Sequence, residues 1–563
     1  MLDLKGENRF KIIAYENAAQ LIRTHPQELV DIYAREGIDG LEAIDGVGEG
    51  IAGKLKELFE TGTLRYYDRL KNKVPQIELD LLDVAGIGPK TSQKLFRILE
   101  PSSVSDLKQK LRSAKAREEF GEKTVENILL ALKERRHEDR YLISDVLPVA
   151  ERLVEWLKQR PEVVASDLVG SLRRRKETIG DIDVVAATRD QKKTVDAFTK
   201  AKFVRRVIRK GEEGVTTIFH ESGFAVDLEL TNPDNYGSLL QHFTGGKEHN
   251  VALRTWASSK GLRLSEDGIT TETSGRTRRF KTEDAFYKSL GMDCPPPELR
   301  ENRGEIEVAQ ARDLPDLIDA DDIRGNLHIH TSASDGRNTL EEMVEAAYAF
   351  GYEYIAITDH SQGAGAGLSE REFSKHRNEI RRVDDRYRRR KRPMRIFTGA
   401  EVNIRPDGSL DLSDEFLSSL DFVIASVHSS FRQSEKEATK RVLAAIHHPF
   451  VHSIGHPSGR KLLERPGMQL NWDAVYEAAA KTGTLLEINA FPDRLDLSDT
   501  RVHAAKELGV QFAINTDAHS PKHYELMRYG VWVARRGWLE KRDVMNTRTV
   551  KQFAQWLERQ KKL

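Results

Sequence analysis

Cysteine is almost absent from this chain of 563 residues: Cys294 stands alone, so no intrachain disulfide can form and any metal must be held by His, Asp and Glu. That scarcity points to a reducing compartment. Long apolar runs are missing too. No stretch approaches the ~18 residues of a spanning helix, and the N-terminus, MLDLKGENRFKIIAYENAAQ, lacks a basic region followed by an apolar core. These absences predict a cytoplasmic protein with no membrane segment. A surplus of one charge is the third absence: Lys plus Arg and Asp plus Glu both number 89, so the total says nothing of a partner and local blocks must be read instead. What is abundant is charge of both signs, 32% against a usual figure of about 25%, with 39% hydrophobic residues left to pack cores.

At roughly 150 residues per domain the length predicts about three to five units. From residue 7 to about 135 the pattern is helical, with periodic segments such as LVDIYAREG and IAGKLKELFE broken by glycine. Between Val163 and Leu230 it turns to β-branched strands, VVASDLVG, DIDVVAA, TTIFH and FAVDLEL, followed by a mixed stretch. Prolines and charges replace periodicity from Cys294 to Gly325, the clearest boundary. Beyond it YIAITDH, RIFTGAEVNI, FVIASVH, LLEINA and FAINTDAH alternate with helical segments, which predicts a parallel sheet or barrel with its polar residues at strand ends.

Two glycine turns recur, IDGVGEGIAGKL (Ile44 to Leu55) and VAGIGPKTSQKL (Val84 to Leu95). Each opens a helix and leaves backbone N–H groups free for a phosphate, which makes Gly46, Gly48, Gly50, Gly86 and Gly88 candidate DNA contacts. The pair resembles tandem helix-hairpin-helix motifs, binders of the DNA backbone.

In LVGSLRRRKETIGDIDVVAA, Gly170-Ser171 and a basic run precede Asp181 and Asp183. Residues two apart on a strand share a face, so both carboxylates can hold the same hard cations. A neighbouring strand, FAVDLEL, offers Asp227 as the third, with Glu229 as its rival. This set resembles the nucleotidyltransferase signature, and its surroundings, about Glu7 to Glu298, resemble the family X DNA polymerases, the polymerase beta group. The resemblance implies that Asp181, Asp183 and Asp227 are the catalytic carboxylates, holding Mg²⁺ or Mn²⁺. It implies that Ser171, Arg174, Arg140 and the Gly180 amide meet the nucleotide phosphates. In HFTGGKEHNVALR it places Phe243 beside the sugar, Asn250 near the base and Arg254 near the template. His242 replaces the first aromatic of that segment, which leaves sugar discrimination open. Lys54 occupies the family's lyase position, but Gly50 and Asn17 stand where phosphate-binding lysines are usual, and the departures weigh towards an ordinary helical surface lysine.

HIHTSASDG, after Asn326, sets His328 and His330 on one side of a strand with Asp335 close behind. Later strand ends repeat the chemistry with His360, Glu401, His428, His456, Asp517 and His519. Imidazole and carboxylate together suit Zn²⁺ and Mn²⁺. These nine residues resemble the ligand set of the PHP (polymerase and histidinol phosphatase) family, which implies a distorted barrel, as many as three ions of Mn²⁺ and/or Zn²⁺, a bridging Glu401 and phosphoester hydrolysis. His447, His448 and His452 fall outside the pattern. The basic run RRVDDRYRRRKRPMR, Arg381 to Arg395, is either a solvated helix face or a track for a nucleic-acid backbone.

Together the halves resemble bacterial family X DNA polymerases with a C-terminal PHP domain. The implied fold is multidomain α/β: helical helix-hairpin-helix domains at 1–75 (lyase-like) and 76–136 (fingers), a nucleotidyltransferase palm at 137–230, an α/β thumb at 231–298, a linker at 299–325 and a distorted (β/α) PHP barrel at 326–563. The implied role is gap filling in DNA repair by a monomer that takes gapped or primer–template DNA and dNTPs, with 3′–5′ exonuclease and/or abasic-site endonuclease activity in the barrel. The alternative is a DNA-binding scaffold whose barrel hydrolyses a small phosphomonoester.

Overall fold

Glycines punctuate the N-terminal helices as the sequence predicts. The structure, a computed structural model, describes residues 29–44, 47–71, 89–101, 104–122 and 140–560 except 212–214 and 365–366, with scattered positions among 2–18 and 124–129. The chain divides into two compact units, Met1–Asp139 and Arg140–Leu563. In the first, α1 (Leu29–Glu42), α2 (Glu49–Thr61) and α3 (Pro89–Leu99) are the principal helices. Gly48 is the extended N-cap of α2, and Gly62 ends it at φ 69°, where its N–H caps the Leu58 carbonyl. Leu41, Val47, Ala52 and Leu55 form one small core of this unit, and Leu95, Leu107, Leu111 and Ala116 form another.

The second unit opens with a mixed sheet. Strands β1 (Val163–Leu168), β2 (Ile182–Thr188), β3 (Val204–Arg209), β4 (Thr216–His220) and β5 (Ala225–Thr231) lie in the order β1-β2-β5-β4-β3. The central pair, β2 and β5, is parallel, and every other pair is antiparallel. Helix α4 (Ile143–Lys158) packs Leu147, Leu153 and Leu157 beneath it, and α5 (Gly170–Arg173) is a single turn between β1 and β2. Then come α6 (Tyr236–Thr244), α7 (Lys247–Ser258) and an antiparallel sheet, β6 (Leu262–Ser265), β7 (Gly268–Thr271) and β8 (Thr277–Arg278). Leu253, Ile269, Phe286 and Tyr287 form the core here.

The Pro-rich segment from Cys294 to Gly325 is a packed strap. Its helix α8 (Glu305–Ala311) sends Ile306 and Ala309 into that same core, and Arg300 and Glu305 are buried. Pro297 opens a 3₁₀ turn there, Pro297–Leu299.

Seven strands follow: β9 (Gly325–Asn326), β10 (Tyr354–Ile357), β11 (Arg395–Asn403), β12 (Phe422–Ser426), β13 (Ser453–Ile454), β14 (Leu485–Asn489) and β15 (Phe512–Asn515). They pair in sequence order and all in parallel. The ring shuts beyond the ends of β9 and β15, where the His330 amide donates to the Ala518 carbonyl (2.8 Å) and the Ala518 amide to that of His328 (3.1 Å). The predicted distorted barrel is therefore present, nearly closed, with seven strands. Its strands are buried on both faces, which explains their unbroken apolar runs. Helix α9 (Glu370–Arg388) covers β11, and α10 (Met527–Arg536) covers β14 and β15. Among the described residues no helix is long and apolar enough to cross a membrane.

Candidate active sites

Strand register decides the first site. Asp183 on β2 pairs directly with Asp227 on β5, whereas Glu229 pairs with Val185 further along. Asp181 immediately precedes β2, and one oxygen from each of Asp181, Asp183 and Asp227 can lie within 4.8 Å of the others. Gly170 permits this closeness. It sits at φ 59°, and a Cβ there would lie 2.0 Å from Asp183 Oδ2. Burial, then the charges of Asp181 and Asp227, push Asp183 up to about 7, and burial with Asp227 raises Asp181. Asp227 Oδ1 is buried without a hydrogen bond. Repelling carboxylates with an orphaned oxygen fit a divalent cation.

Of the residues assigned to the nucleotide, Arg140 lies near enough to lower Asp181 and Arg174 near enough to lower Asp183. Arg140 donates from Nε to Thr178 Oγ1 (2.7 Å) and also to the Thr178 carbonyl, while its Nη1 lies 3.9 Å from the Cβ position of Gly180. Ser171 stands in α5, its carbonyl accepting from the Lys176 amide (3.0 Å). Arg174 is already engaged: Nε meets Glu301 Oε1 and Nη1 meets the Thr244 carbonyl, both at 2.8 Å. Phe243 packs against Val169 and Val185, with the His242 ring edge-on at 4.9 Å. Asn250 ties α7 to α6 by donating to the carbonyls of His242 (2.8 Å) and Gly245 (3.2 Å), and Arg254 donates to the Asn250 carbonyl (3.0 Å).

In the first unit Gly48 and Gly50 stand at the start of α2, while Gly46, Gly86 and Gly88 lie outside the described residues, as does Asn17. Lys54 lies on α2, one turn beyond Gly50. Its Nζ donates to the Gly50 carbonyl and lies 5.6 Å and 5.4 Å from the rings of Tyr15 and Tyr66.

At the barrel mouth the second site gathers around Glu401 on β11, which is 1% exposed. Its Oε2 lies 2.8 Å from His360 Nδ1 and 3.4 Å from His328 Nε2; its Oε1 lies 3.1 Å from His456 Nε2 and 3.2 Å from His428 Nε2. Asp517 Oδ1 approaches His330 Nε2 at 3.1 Å, and Asp335 Oδ2 approaches His519 Nε2 at 3.2 Å and His360 Nε2 at 3.4 Å. Three overlapping groups suit a metal: His330, Asp335, His360 and His519; His328, His330 and Asp517; His360, Glu401 and His428. His456 reaches them through Glu401. Both ring nitrogens of His330 and one each of His328, His360, His428 and His456 are buried without a hydrogen bond, as is Glu401 Oε2. Orphaned nitrogens among carboxylates are what divalent cations would satisfy. Two of these residues, His456 (φ 28°) and Asp517 (φ 52°), also hold left-handed backbone conformations that a non-glycine residue adopts at some cost.

Four family models match parts of this chain. Residues 1–64 match the helix-hairpin-helix domain, 78–134 the SAM-like helix-hairpin-helix tandem, 239–301 the DNA polymerase beta thumb and 326–490 the PHP domain. The "DNA polymerase/3'-5' exonuclease PolX" of Bacillus subtilis (strain 168) is 35% identical over 564 residues, 99% of this chain and 97% of that protein. The chain belongs to the family X DNA polymerases with a C-terminal PHP domain. Over the barrel alone it is also similar to proteins named "Probable phosphatase", from Acetivibrio thermocellus (30% identical, 42% of this chain and 95% of that protein) and from Syntrophotalea carbinolica (33%, 29% and 64%).

Several residues that position the candidate ligands in this family X chain escape a reading of motifs. Glu487 in β14 is fully buried. One oxygen meets His328 Nδ1 (2.7 Å) and the Asn515 amide (3.0 Å); the other accepts from the His456 backbone (2.7 Å). Asn489 donates to Asp517 Oδ2 at 3.1 Å. Asp359 folds the loop carrying Asp335 by accepting from the Thr331 amide (2.7 Å) and the hydroxyls of Thr331 (2.8 Å) and Ser334 (2.6 Å), with His376 on its other side at 2.8 Å. Their one signal is a carboxylate inside an apolar strand run, as in LLEIN. Part of the basic run is engaged: Arg386 pairs with Glu341, Arg390 with Glu345 and Arg395 with Asp384, and Arg390 and Arg392 lie over Tyr348. Of the histidines outside the pattern, His452 is buried beneath β12, its Nδ1 accepting from the Val423 amide (3.1 Å).

Proposed function

We propose that this protein is a DNA-directed DNA polymerase that fills short gaps during repair and whose barrel trims 3′ ends or cleaves at abasic sites. The observation that supports it best is the direct pairing of Asp183 with Asp227 beside Asp181, since a scaffold has no use for three converging carboxylates. Asp181, Asp183 and Asp227 hold Mg²⁺ or Mn²⁺; the nine barrel residues hold Mn²⁺ and/or Zn²⁺. When bound, such cations supply positive charge to a transferring phosphoryl group and its leaving oxygen. Arg140, Ser171, Arg174 and the Gly180 amide bind the triphosphate of a dNTP. Phe243 lies against the sugar, Asn250 against the base and Arg254 against the template. The glycine turns at Gly46, Gly48, Gly50, Gly86 and Gly88 bind the backbone of gapped or primer–template DNA. We read the protein as a cytoplasmic monomer and Lys54 as its lyase candidate.

The test is a gapped, 5′-phosphorylated DNA incubated with dNTPs and Mn²⁺. Asp181→Ala with Asp183→Ala abolishes extension and spares trimming; His328→Ala with His330→Ala does the reverse. Loss of both activities in either folded variant would sink the idea of two independent chemistries. The barrel's similarity to proteins named as phosphatases favours a second reading, a scaffold with a small-molecule phosphatase. Turnover of histidinol phosphate by the full chain, without extension or degradation of DNA, would establish that reading instead.

A further inference from the structure

The phosphate-binding loop of the palm, residues 170–181, is clamped from the barrel. On one flank Glu177 receives two hydrogen bonds from Arg460, Nη2 to Oε1 (2.5 Å) and Nη1 to Oε2 (3.1 Å). Arg460 follows the candidate ligand His456 by four positions. Its guanidinium also donates to the carbonyls of Arg494 (2.9 Å) and Leu495. Those residues belong to the turn after β14 that runs beside the second site, where Arg494 Nε lies 3.9 Å from Asp517 Oδ2.

Glu177 is equally well connected on its own side. Its carbonyl accepts from the Ile143 amide (3.1 Å), the preceding residue, Lys176, bonds back to Ser171, and the following residue, Thr178, accepts from Arg140. On the other flank Arg536, 1% exposed, donates to the Arg174 carbonyl (2.6 Å) and to Glu301 (3.3 Å), the carboxylate that holds the Arg174 side chain. Asp499 fixes Arg536 in turn (2.6 Å).

Two-point arginine–carboxylate pairs impose direction as well as attraction, and a pair shielded from water is costly to break. Only three residues of chain separate Glu177 from Asp181, and on the far side one guanidinium separates it from the turn beside Asp517. We infer that Glu177 and Arg460 form a positioning joint between the two active sites, setting the nucleotide-phosphate loop on one side and the 491–497 turn of the phosphoesterase site on the other. Neither residue touches substrate; each acts through the backbone it holds. Binding at one site then changes the other by a coupling free energy carried through this pair. The inference rests on the polymerase and trimming activities proposed above.

The full-length protein tests it. Glu177→Gln removes the charge and keeps the shape; Arg460→Lys keeps the charge and loses the fork. Each raises the KM for dNTP on the order of tenfold with kcat little changed, and slows trimming by a similar factor; the double variant is no worse than either single one. A change confined to one activity, additive losses, or a lowered melting temperature with unchanged KM would overturn the joint. Should both variants fail to fold, the wild-type chain decides: saturation with a non-hydrolysable dNTP analogue increases the hydrogen-exchange protection of residues 491–497, and unchanged protection overturns the inference. A wild-type protein that neither extends nor trims removes the functional reading and the inference together. One that does both, with joint variants that behave like it, removes the inference alone.

Discussion

The palm triad and the barrel cluster both place carboxylates where parallel strands meet, yet their electrostatics are opposite. In the palm three acids face one another, and after burial it is their mutual repulsion that lifts Asp183 to about 7. In the barrel burial would likewise raise Glu401, but the imidazoles of His360, His328 and His428 reverse the effect and hold it well below the usual carboxylate range. The palm carboxylates thus repel one another, as those of a candidate cation site do. The barrel site is knit together by its own acid–imidazole contacts, and Glu487 and Asp359 brace it from behind. A substrate-completed site suits ions that come with the nucleotide, and a braced one suits resident ions.

The strongest way to break this contrast is Glu401→Ala. Four other strand ends meet at that carboxylate through His328 and His330, His360, His428 and His456, so its loss empties the barrel of metal in elemental analysis. Trimming falls on the order of 10³-fold or more, beyond the 10–100-fold typical of groups that only orient a ligand. Primer extension falls far less, by no more than the order of tenfold that coupling through Glu177 and Arg460 carries, since every palm contact is untouched. A matching loss of extension would show that the two sites are not separately built. The next largest effect probes the palm. In Gly170→Ala the new methyl would meet Asp183 Oδ2 at 2.0 Å, from a backbone at φ 59° that alanine resists, so the carboxylate must leave the triad. A displacement of about 1 Å costs on the order of 10² in rate, read as kcat for extension, with trimming lowered by no more than the order of tenfold that the Glu177–Arg460 joint carries.

Much of this architecture was legible because it is periodic. The alternation of DIDVVAA marked a strand, and the return of His, Asp or Glu after every short apolar run marked a barrel mouth. Which carboxylate joins Asp183 was not legible. Asp227 and Glu229 lie on the same face of β5, and only the pairing register, a tertiary fact, separates them. Glu487 was hidden for a related reason: its partners His328, His456 and Asn515 come from three other strand ends, so no local spacing announces them. The strap misled in the opposite direction. Prolines near Cys294 read as a linker, yet Glu305 in α8 is buried against His249, a contact 56 residues away in sequence. Arg174 likewise matched a motif without revealing that Glu301, on the strap, already holds it.

The buried histidines sharpen the contrast between the halves further, at a smaller scale. His328 and His360 of the barrel are raised well above the usual imidazole value: burial lowers them, but Glu401 raises both, with Glu487 and Asp517 adding to His328 and Asp335 to His360. His249 of the thumb goes the other way. Burial lowers it despite the Glu305 carboxylate, so the neutral ring donates from Nδ1 to Glu305 (2.5 Å) and accepts from the Tyr287 hydroxyl at Nε2 (3.0 Å). Glu305 is itself held below its ordinary value: burial opposes this, but the bond from His249 and the Arg303 amide outweigh it. Both shifts act in the same direction. Below pH 6.5 the unfolded chain takes up a proton that folded His249 refuses, and below 4.5 it takes up another that folded Glu305 refuses, so thumb stability present at neutral pH is lost on acidification. The slope is at most about 1.4 kcal/mol per pH unit for each group. Denaturant midpoints measured from pH 7.5 to 5 therefore fall, and His249→Gln flattens the profile between pH 6.5 and 5; an unchanged slope in that variant would place the acid sensitivity elsewhere.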